Sequence, residues 1–341
     1  MNTSITTIDN SVKSPVQSRK GIGGKIVLIS FIVAFALAPQ VIGHYYITLL
    51  IPFFAYAITL LGFNLLFGYG GLLSFGHALF VAVGAYAAAT LALNTGMVSF
   101  ELMLCAAVGA ALIIATPIAI LASRYTGIFF GMLTLAFGML FYTFLNKFYD
   151  ITGGDGGLML PRPTLLGVNF ESANNFEFLA GPFYYYCLVL VLLLGWIMWR
   201  VVHSPYGLHL MASRDNAVKA TYLGVKVREV RAIAFIVSAL YGAIGGVILG
   251  VNTGLADPEL AYWVNSGYLV FMTVLGGYHE FIGPVIGALV FILLQDELST
   301  VTQHWRFFLG VVLAVLVIAL PGGISGGFRS AIHRVRTKGA R

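Results

Sequence analysis

Residues 46–78 read YITLLIPFFAYAITLLGFNLLFGYGGLLSFGHA, and this apolar stretch is typical of the whole chain. It contains no Asp, Glu, Lys or Arg. Its first part, 46–67, is long enough to cross a bilayer as a helix, because a span needs about 20 apolar residues. Gly70, Gly71 and Gly76 then let the backbone break or let neighbouring helices approach closely. The stretch therefore predicts a membrane-spanning helix followed by an irregular, glycine-rich segment.

The composition extends this prediction to the rest of the molecule. The 341 residues are 59% hydrophobic and only 9% charged, whereas about 25% of the residues of an ordinary soluble domain are charged. A chain of this composition lacks the polar side chains that cover a soluble globule. It therefore excludes a soluble enzyme, a disordered chain and a disulfide scaffold, and it predicts an all-α, polytopic membrane protein.

Ten apolar segments predict about ten transmembrane helices. The segment 264–276 is too short for an ordinary span and ends at Gly276-Gly277, so some helices are expected to be short or broken. The ten extents are 25–43, 46–67, 72–94, 100–122, 127–146, 181–202, 231–251, 264–276, 281–296 and 306–321. The predicted domains are a disordered cytoplasmic tail at 1–24, a transmembrane domain at 25–322 and a basic cytoplasmic tail at 323–341.

The basic residues predict the orientation. Three stretches, the N-terminal tail, 200–231 and the C-terminal tail, hold 15 of the 19 Lys and Arg residues. Cytoplasmic loops are enriched in these residues, so with ten spans both termini are expected in the cytoplasm and the loop 147–180 outside. The rival interpretation is a signal peptide cleaved after Ala36-Leu37-Ala38, although the long polar stretch before it is atypical.

Small and polar residues inside the spans predict packing contacts. Glycines at 242, 246 and 250 recur every four residues, which indicates close internal helix packing rather than a subunit interface. Ser74 and His77 either face an aqueous path or form a structural hydrogen bond between helices, which is the commoner role. Cys105 and Cys187 lie in apolar runs and are expected to be small packing residues.

Several function classes lack the residues they need. An ion-coupled carrier usually carries an ionisable relay inside its spans, but Glu101, Asp296 and Glu297 lie near span ends. The stretch Gly21–Lys25 lacks the spacing and the Ser or Thr of a phosphate-binding loop, so the chain is not expected to bind ATP itself. An intramembrane enzyme would need a catalytic cluster of paired His, Asp, Glu or Cys residues at helical spacing, and the sequence does not indicate such a cluster. No cofactor, metal or nucleic acid is expected to bind this chain.

The loop between the sixth and seventh segments predicts a short cytoplasmic helix. Asp215 or Ser213 can cap its beginning, and Gly224 suits the left-handed residue just past its end. Ala217, Ala220 and Leu223 lie roughly on one face. Small side chains there let another protein approach closely. The alternative is a helix that lies on the bilayer surface.

Four motifs, in order along the chain, resemble those of a known family. The first is Gly68-Tyr69-Gly70-Gly71-Leu72-Leu73-Ser74-Phe75-Gly76-His77-Ala78, followed by Gly84-Ala85-Tyr86. The others are Thr152-Gly153-Gly154-Asp155-Gly156-Gly157-Leu158, the loop Arg214–Val225, and Val274-Leu275-Gly276-Gly277 with Gly283-Pro284-Val285-Ile286-Gly287. From about residue 45 to 325 the sequence resembles the permease subunits of branched-chain amino acid ABC importers, specifically their M-type chain.

The resemblance implies a transmembrane permease domain of about ten helices in the inner (plasma) membrane. It implies import of branched-chain or related hydrophobic amino acids, driven by ATP. The implied partners are a second homologous permease subunit, two ATPase subunits that hold ATP and Mg, an extracytoplasmic substrate-binding protein and membrane lipid. Related permeases import urea or short amides, so an importer of these substrates is one alternative. A carrier that works without ATP is another.

The resemblance also assigns candidate residues to three elements. In such importers a cytoplasmic helix of the permease enters a cleft on the ATPase. The candidates for this coupling loop are Arg214, Asp215, Asn216, Ala217, Ala220, Leu223, Gly224 and Val225. The candidates for the translocation path are Ser74, Gly76, His77, Gly276 and Gly277. The candidates for an external loop, which contacts a binding protein or is simply solvated, are Thr152, Gly153, Gly154 and Asp155.

Overall fold

The computed structural model of the protein describes residues 35–39, 43–170, 174–319 and 322–326. Residues 35–39 are helical and belong to a separate unit, Met1–Val41, so the description that follows concerns the unit Ile42–Arg341. The predicted tail at 1–24, most of the predicted span at 25–43, and the predicted tail 323–341 beyond residue 326 lie outside the described residues.

Helices make up most of the described chain. In chain order they are α1 (His44–Asn64), which continues as a π-helical turn over Leu65–Tyr69, α2 (Ala78–Thr95), α3 (Phe100–Ala122), α4 (Ile128–Lys147), α5 (Tyr149–Thr152), α6 (Asn175–Phe178), which continues as a π-helical turn over Leu179–Phe183, α7 (Tyr184–Val202), α8 (Pro205–Asp215), α9 (Ala217–Tyr222), α10 (Val227–Thr253), α11 (Trp263–Gly276), α12 (Gly283–Val301) and α13 (Trp305–Ala319). Two 3-10 turns cover Gly154–Gly156 and Pro258–Ala261. The strands β1 (Leu158–Met159) and β2 (Leu255–Ala256) pair antiparallel, with Leu158 opposite Ala256.

Seven helices in the described part of the chain are long and apolar enough to cross a membrane, and α11 and α13 are shorter apolar helices. Nine of the ten predicted segments therefore coincide with a helix, and the tenth, 25–43, lies mostly outside the described residues. The largest boundary error is at 72–94, whose helix begins only at Ala78. Residues 70–77 are irregular instead, because Gly71 adopts a left-handed φ of 67° that ends the preceding helix.

The core forms where α10 packs against α1, α2 and α3. Glycines make these contacts close: a methyl group added at Gly84 would collide with the backbone of Ala243, and one at Gly246 with the backbone of Val81. The other glycines of the predicted row face the same helix, Gly242 against Phe80 and Gly250 against Ala85. The prediction that residues 242, 246 and 250 serve internal packing is confirmed.

The bundle has two ends of opposite charge. One, the basic end, comprises the loops 123–127, 203–226 and 277–282 with the adjoining helix ends. The other, the acidic end, comprises the loops 96–99, 148–170, 254–262 and 302–304 with their helix ends. Among the described residues, the basic end carries seven Lys and Arg against three acidic residues, and the acidic end carries eight acidic residues against three basic ones. Glu101, predicted at a span end, lies there and accepts a hydrogen bond from the hydroxyl of Tyr186 at 3.2 Å.

Candidate functional site

The irregular segment 70–77 lies within the bundle between α1 and α2. Side-chain hydroxyls bind backbone amides in this segment and at its boundary with α2: the amide of Phe75 donates to Thr134 Oγ1 at 3.3 Å, and the amide of Ala78, the first residue of α2, donates to Ser266 Oγ at 2.9 Å. Non-helical backbone at membrane depth needs such partners, because no lipid group supplies them. Hydroxyl groups of α4 and α11 therefore hold this segment in place.

Three of the candidate path residues lie in this segment and are fully enclosed. Nε2 of His77 lies 3.0 Å from the hydroxyl and 3.2 Å from the carbonyl oxygen of Ser238. The rings of Phe63, Phe80 and Phe235 surround the imidazole. Gly76 packs so closely on the backbone of Thr134 that a methyl group would collide with its carbonyl. His77 thus makes the interhelical hydrogen bond that the sequence allowed as an alternative to a path-lining role.

Ser74 makes no hydrogen bond through its side chain. The side chain is buried, and within the described residues its Oγ has no partner, as is also true of Nδ1 of His77. An unpaired buried hydroxyl costs about 1–3 kcal/mol, so this group is unfavourable for stability alone. Of the three, Ser74 therefore has the side chain best suited to serve a second conformation or a passing solute.

The other two path candidates form a second break, between α11 and α12. Gly277 has a φ of 104°, and the carbonyl of Gly276 accepts a hydrogen bond from Ser325 Oγ at 2.7 Å. The turn 277–282 contacts the end of α1: the amide of Asn64 donates to the carbonyl of Glu280 at 3.3 Å. The two breaks of the bundle are therefore in contact through the end of α1.

A groove of about 460 Å³ lies between α2, α3 and α4. Apolar side chains line most of it, among them Val83, Ala87 and Phe141, while Thr90 and Asn94 add polar groups. None of the predicted path residues line this groove. The sequence reasoning missed it, although Thr90 and Asn94 are spaced four residues apart on an otherwise apolar helix, which is a detectable signal.

The coupling loop folds into the helix pair α8 and α9 at the basic end. The cap of α9 is neither Asp215 nor Ser213: Asn216 Oδ1 accepts from the amide of Lys219 at 2.9 Å, while Asp215 is the last residue of α8. Ser213 is buried and donates back to the carbonyl of Leu210 at 2.8 Å. The predicted left-handed Gly224 is confirmed, with a φ of 86°. The cap thus lies one position after Asp215 and three positions after Ser213, the two predicted caps.

The outward face of α9 also differs from the predicted one. Ala220 is only 2% exposed, and the amide of Val225 donates to its carbonyl at 3.0 Å. Tyr222 and Leu223 are 87% and 83% exposed, and Val218 is exposed beside them. The small-residue face of Ala217 and Ala220 therefore turns toward the protein, and apolar side chains of larger size face outward. The prediction that Ala217, Ala220 and Leu223 share one outward face was wrong, because Ala220 is buried within the chain while Leu223 is exposed.

Two hydrogen bonds join α8 to the beginning of α10. The hydroxyl of Tyr206 donates to the carbonyl of Val230 at 2.9 Å, and Arg231 Nη2 donates to the carbonyl of Ser213 at 3.1 Å. Burial raises the pKa of the Tyr206 phenol above its usual value, so it remains a donor at neutral pH. The base of the helix pair is thus attached to the beginning of α10.

The candidate external loop lies at the acidic end. Thr152 is buried, and its hydroxyl donates to the carbonyl of Phe148 at 2.7 Å, while Gly153 and Gly154 take left-handed φ values of 73° and 57°. The loop continues into β1, which pairs with β2. This segment forms a defined turn on which Asp155 is exposed.

Within the described residues, no group of His, Cys, Asp or Glu side chains is arranged to hold a metal ion. Cys187 is buried in α7, as a small packing residue would be, whereas Cys105 on α3 is exposed. The candidate site therefore consists of the two helix breaks at 70–77 and 277–282, the groove between α2, α3 and α4, and the surface helix pair α8 and α9.

Comparison with known proteins gives relatives that cover most of the chain. The sequence model of the family "Branched-chain amino acid transport system / permease component" matches residues 45–320. The high-affinity branched-chain amino acid transport system permease protein LivM of Escherichia coli (strain K12) is 25% identical over 88% of this chain and 74% of its own length. The corresponding LivH of the same organism is 23% identical over 80% and 91%. The autoinducer 2 import system permease protein LsrC of Photorhabdus laumondii is 28% identical over 45% and 46%. No solved structure matches the chain.

Proposed function

Because this chain belongs to the branched-chain amino acid transport permease family, we propose that it is the membrane-spanning subunit of an ATP-driven, binding-protein-dependent importer. The proposed cargo is a branched-chain or related hydrophobic amino acid. The proposed assembly adds a second homologous permease, two ATPase subunits that carry ATP and Mg, and an extracytoplasmic binding protein, all at the inner membrane. The chain itself catalyses no reaction in this proposal.

One observation carries the proposal. At the basic end, the six-residue helix α9 and its C-cap Leu223 present three apolar side chains outward, those of Val218, Tyr222 and Leu223. Exposed apolar side chains on a short, capped helix are typical of a helix that enters a groove on a partner. Basic loops are typically cytoplasmic, and that is where an ATPase binds. The charge pattern and the exposed helix therefore support the same surface as the ATPase contact.

The charge of the acidic end supports the proposed contact with an extracytoplasmic binding protein. Asp155, Asp257 and Glu259 lie there beside the β1–β2 pair. A fixed, negatively charged surface favours a partner with complementary positive charge and accelerates its encounter. We assign this surface to the extracytoplasmic binding protein.

Purification of the native assembly tests the proposal directly. The chain, tagged at its C terminus in its own host, is extracted in mild detergent, and the proteins that co-migrate are identified by mass spectrometry. We expect two ATPase chains and a second permease. Reconstituted vesicles should then take up labelled leucine only with ATP and the binding protein present, and unlabelled urea should not compete.

Three outcomes would contradict the proposal in whole or in part. Uptake driven by an ion gradient in vesicles that contain only this chain would identify a carrier that needs no ATP. If no ATPase co-migrates and α9 is instead protected by lipid, the helix pair is a bilayer-surface element. Competition by urea rather than by isoleucine would retain the importer and reject the amino acid cargo.

A further inference from the structure

Arg214 turns its side chain into the protein, although it is the last basic residue of α8 before the exposed helix α9. Nη1 donates to the carbonyl oxygen of Gly68 at 2.6 Å. Nε donates to Asp215 Oδ1 at 3.0 Å, and the side chain is 33% exposed. A methyl group added at Gly71 would lie 2.6 Å from Arg214 Cγ, so the stem of the side chain fills the space beside that glycine. The guanidinium is therefore held from both sides.

The group that Arg214 binds is a helix-end carbonyl. The last carbonyls of a helix have no partner within the helix, and cations bind there favourably. The amides of Gly70, Gly71 and Leu72 return to the carbonyls of Leu65, Phe67 and Leu66. They leave the carbonyl of Gly68 to Arg214, 146 residues further along the chain.

The same helix end contacts both breaks of the bundle. It leads directly into the segment 70–77, and a methyl group added at Gly68 would collide with Asn64 and with the carbonyl of Tyr278. The rings of Phe67 and Tyr278 are 5.1 Å apart. A displacement of Gly68 therefore acts on the segment that carries Ser74 and on the turn 277–282.

We propose that Arg214 is a positioning residue that transmits movement of α8 and α9 to the broken end of α1, and not a contact to the ATPase. The inference rests on the proposed function, since it needs an ATPase that moves the helix pair. Among the described residues, the charged guanidinium of Arg214 is the one side-chain group of α8 that donates a hydrogen bond to the carbonyl end of α1. Loss of this connection uncouples hydrolysis from transport while the surface of α9 is kept.

The experiment compares Arg214→Ala with Arg228→Ala in the reconstituted assembly. Arg228 is exposed at the beginning of α10, so its removal takes the same charge from the same end without breaking a contact to α1. For Arg214→Ala we expect ATPase co-purification within about two-fold of wild type. Stimulation of hydrolysis by the loaded binding protein should disappear, and leucine uptake should fall at least ten-fold. Arg228→Ala should change none of these.

A conservative variant separates this role from a folding defect. Arg214→Lys keeps one charged donor and loses the planar fork that holds Gly68 and Asp215 together, so partial recovery of uptake is expected. Equal losses of co-purification and uptake in both Arg214 variants would make the residue an ATPase contact and overturn the inference. Normal coupled uptake in Arg214→Ala would overturn it as well. If wild type fails to retain an ATPase, the proposed function fails instead.

Discussion

At Ala220 and Tyr222, two positions apart in α9, the side chains have opposite surroundings. A glutamate at position 220 would place a carboxylate in a buried environment, because Ala220 is buried within this chain. An unpaired buried charge destabilises a protein strongly, so such a variant damages the helix pair before any partner is met. The side chain of Tyr222, by contrast, is exposed and open to a partner. Substitutions at 222 and 223 therefore test the surface, and substitutions at 220 test the fold.

Tyr222→Ser is expected to weaken ATPase binding without affecting the membrane domain. Removing a central aromatic anchor from an interface typically costs about 2 kcal/mol, which is roughly a 30-fold loss of affinity. Titration of the purified ATPase against permease in nanodiscs measures this. Thr221→Ala, which removes only a hydroxyl bonded to the carbonyl of Ala217, is the matched control. Unchanged affinity in Tyr222→Ser would move the contact away from α9.

Ser74→Ala should leave abundance unchanged and lower leucine uptake. The hydroxyl is buried without a partner in the described residues. Its removal therefore eliminates an unfavourable buried group and breaks no hydrogen bond among these residues. Leucine at this position would overpack an enclosed site and report mainly on folding. Ser266→Ala is the contrasting variant, because its hydroxyl accepts from the amide of Ala78. There, abundance and uptake should fall together; the same pattern in Ser74→Ala would make Ser74 a packing residue.

At the scale of elements, the close contact between α2 and α10 depends on residues without a side chain. Gly84→Ala places a methyl group against the carbonyl of Ala243, and we expect a loss of stability of about 1–3 kcal/mol from overpacking. Gly109→Ala in α3 has no atom within reach of the new methyl group and should be neutral or slightly stabilising. Thermal unfolding in detergent, followed by the fluorescence of a thiol-reactive dye, compares the two. Equal melting temperatures would contradict the assigned contact.

The same elements show how much of the fold can be predicted from the sequence. Apolar length predicts nine described helices and the spacing of glycines predicts α10 packing, because both depend on residue type alone. The start of α2 at Ala78 was not predicted, since apolar residues such as Leu72 and Leu73 occur equally in a helix and in a buried irregular segment. The cap at Asn216 and the burial of Ala220 were also missed, because several neighbouring residues can cap and a small residue fits either face. Tertiary contacts decide these cases, as the hydroxyls of Thr134 and Ser266 do for the segment 70–77.

For the whole molecule, the opposite charge of its ends makes orientation testable. In a chain with Cys105→Ala and Cys187→Ala, single cysteines replace the exposed residues Asp155 or Leu223. An impermeant maleimide added to intact spheroplasts should label Asp155→Cys at once and Leu223→Cys only after permeabilisation, because basic loops stay in the cytoplasm. The reverse order of labelling would show that the bundle has the opposite orientation, in which an ATPase in the cytoplasm cannot contact α9.

The hydroxyl of Ser266 that holds the amide of Ala78 also constrains how the protein is made. The two residues are 188 positions apart, so at a synthesis rate of about 5–20 residues per second the amide waits roughly 10–40 seconds for its partner. During that interval the beginning of α2 cannot rest unpaired in hydrocarbon. The amide of Ala78 must therefore pair with water, with the insertion machinery or with another group of the chain until α11 emerges.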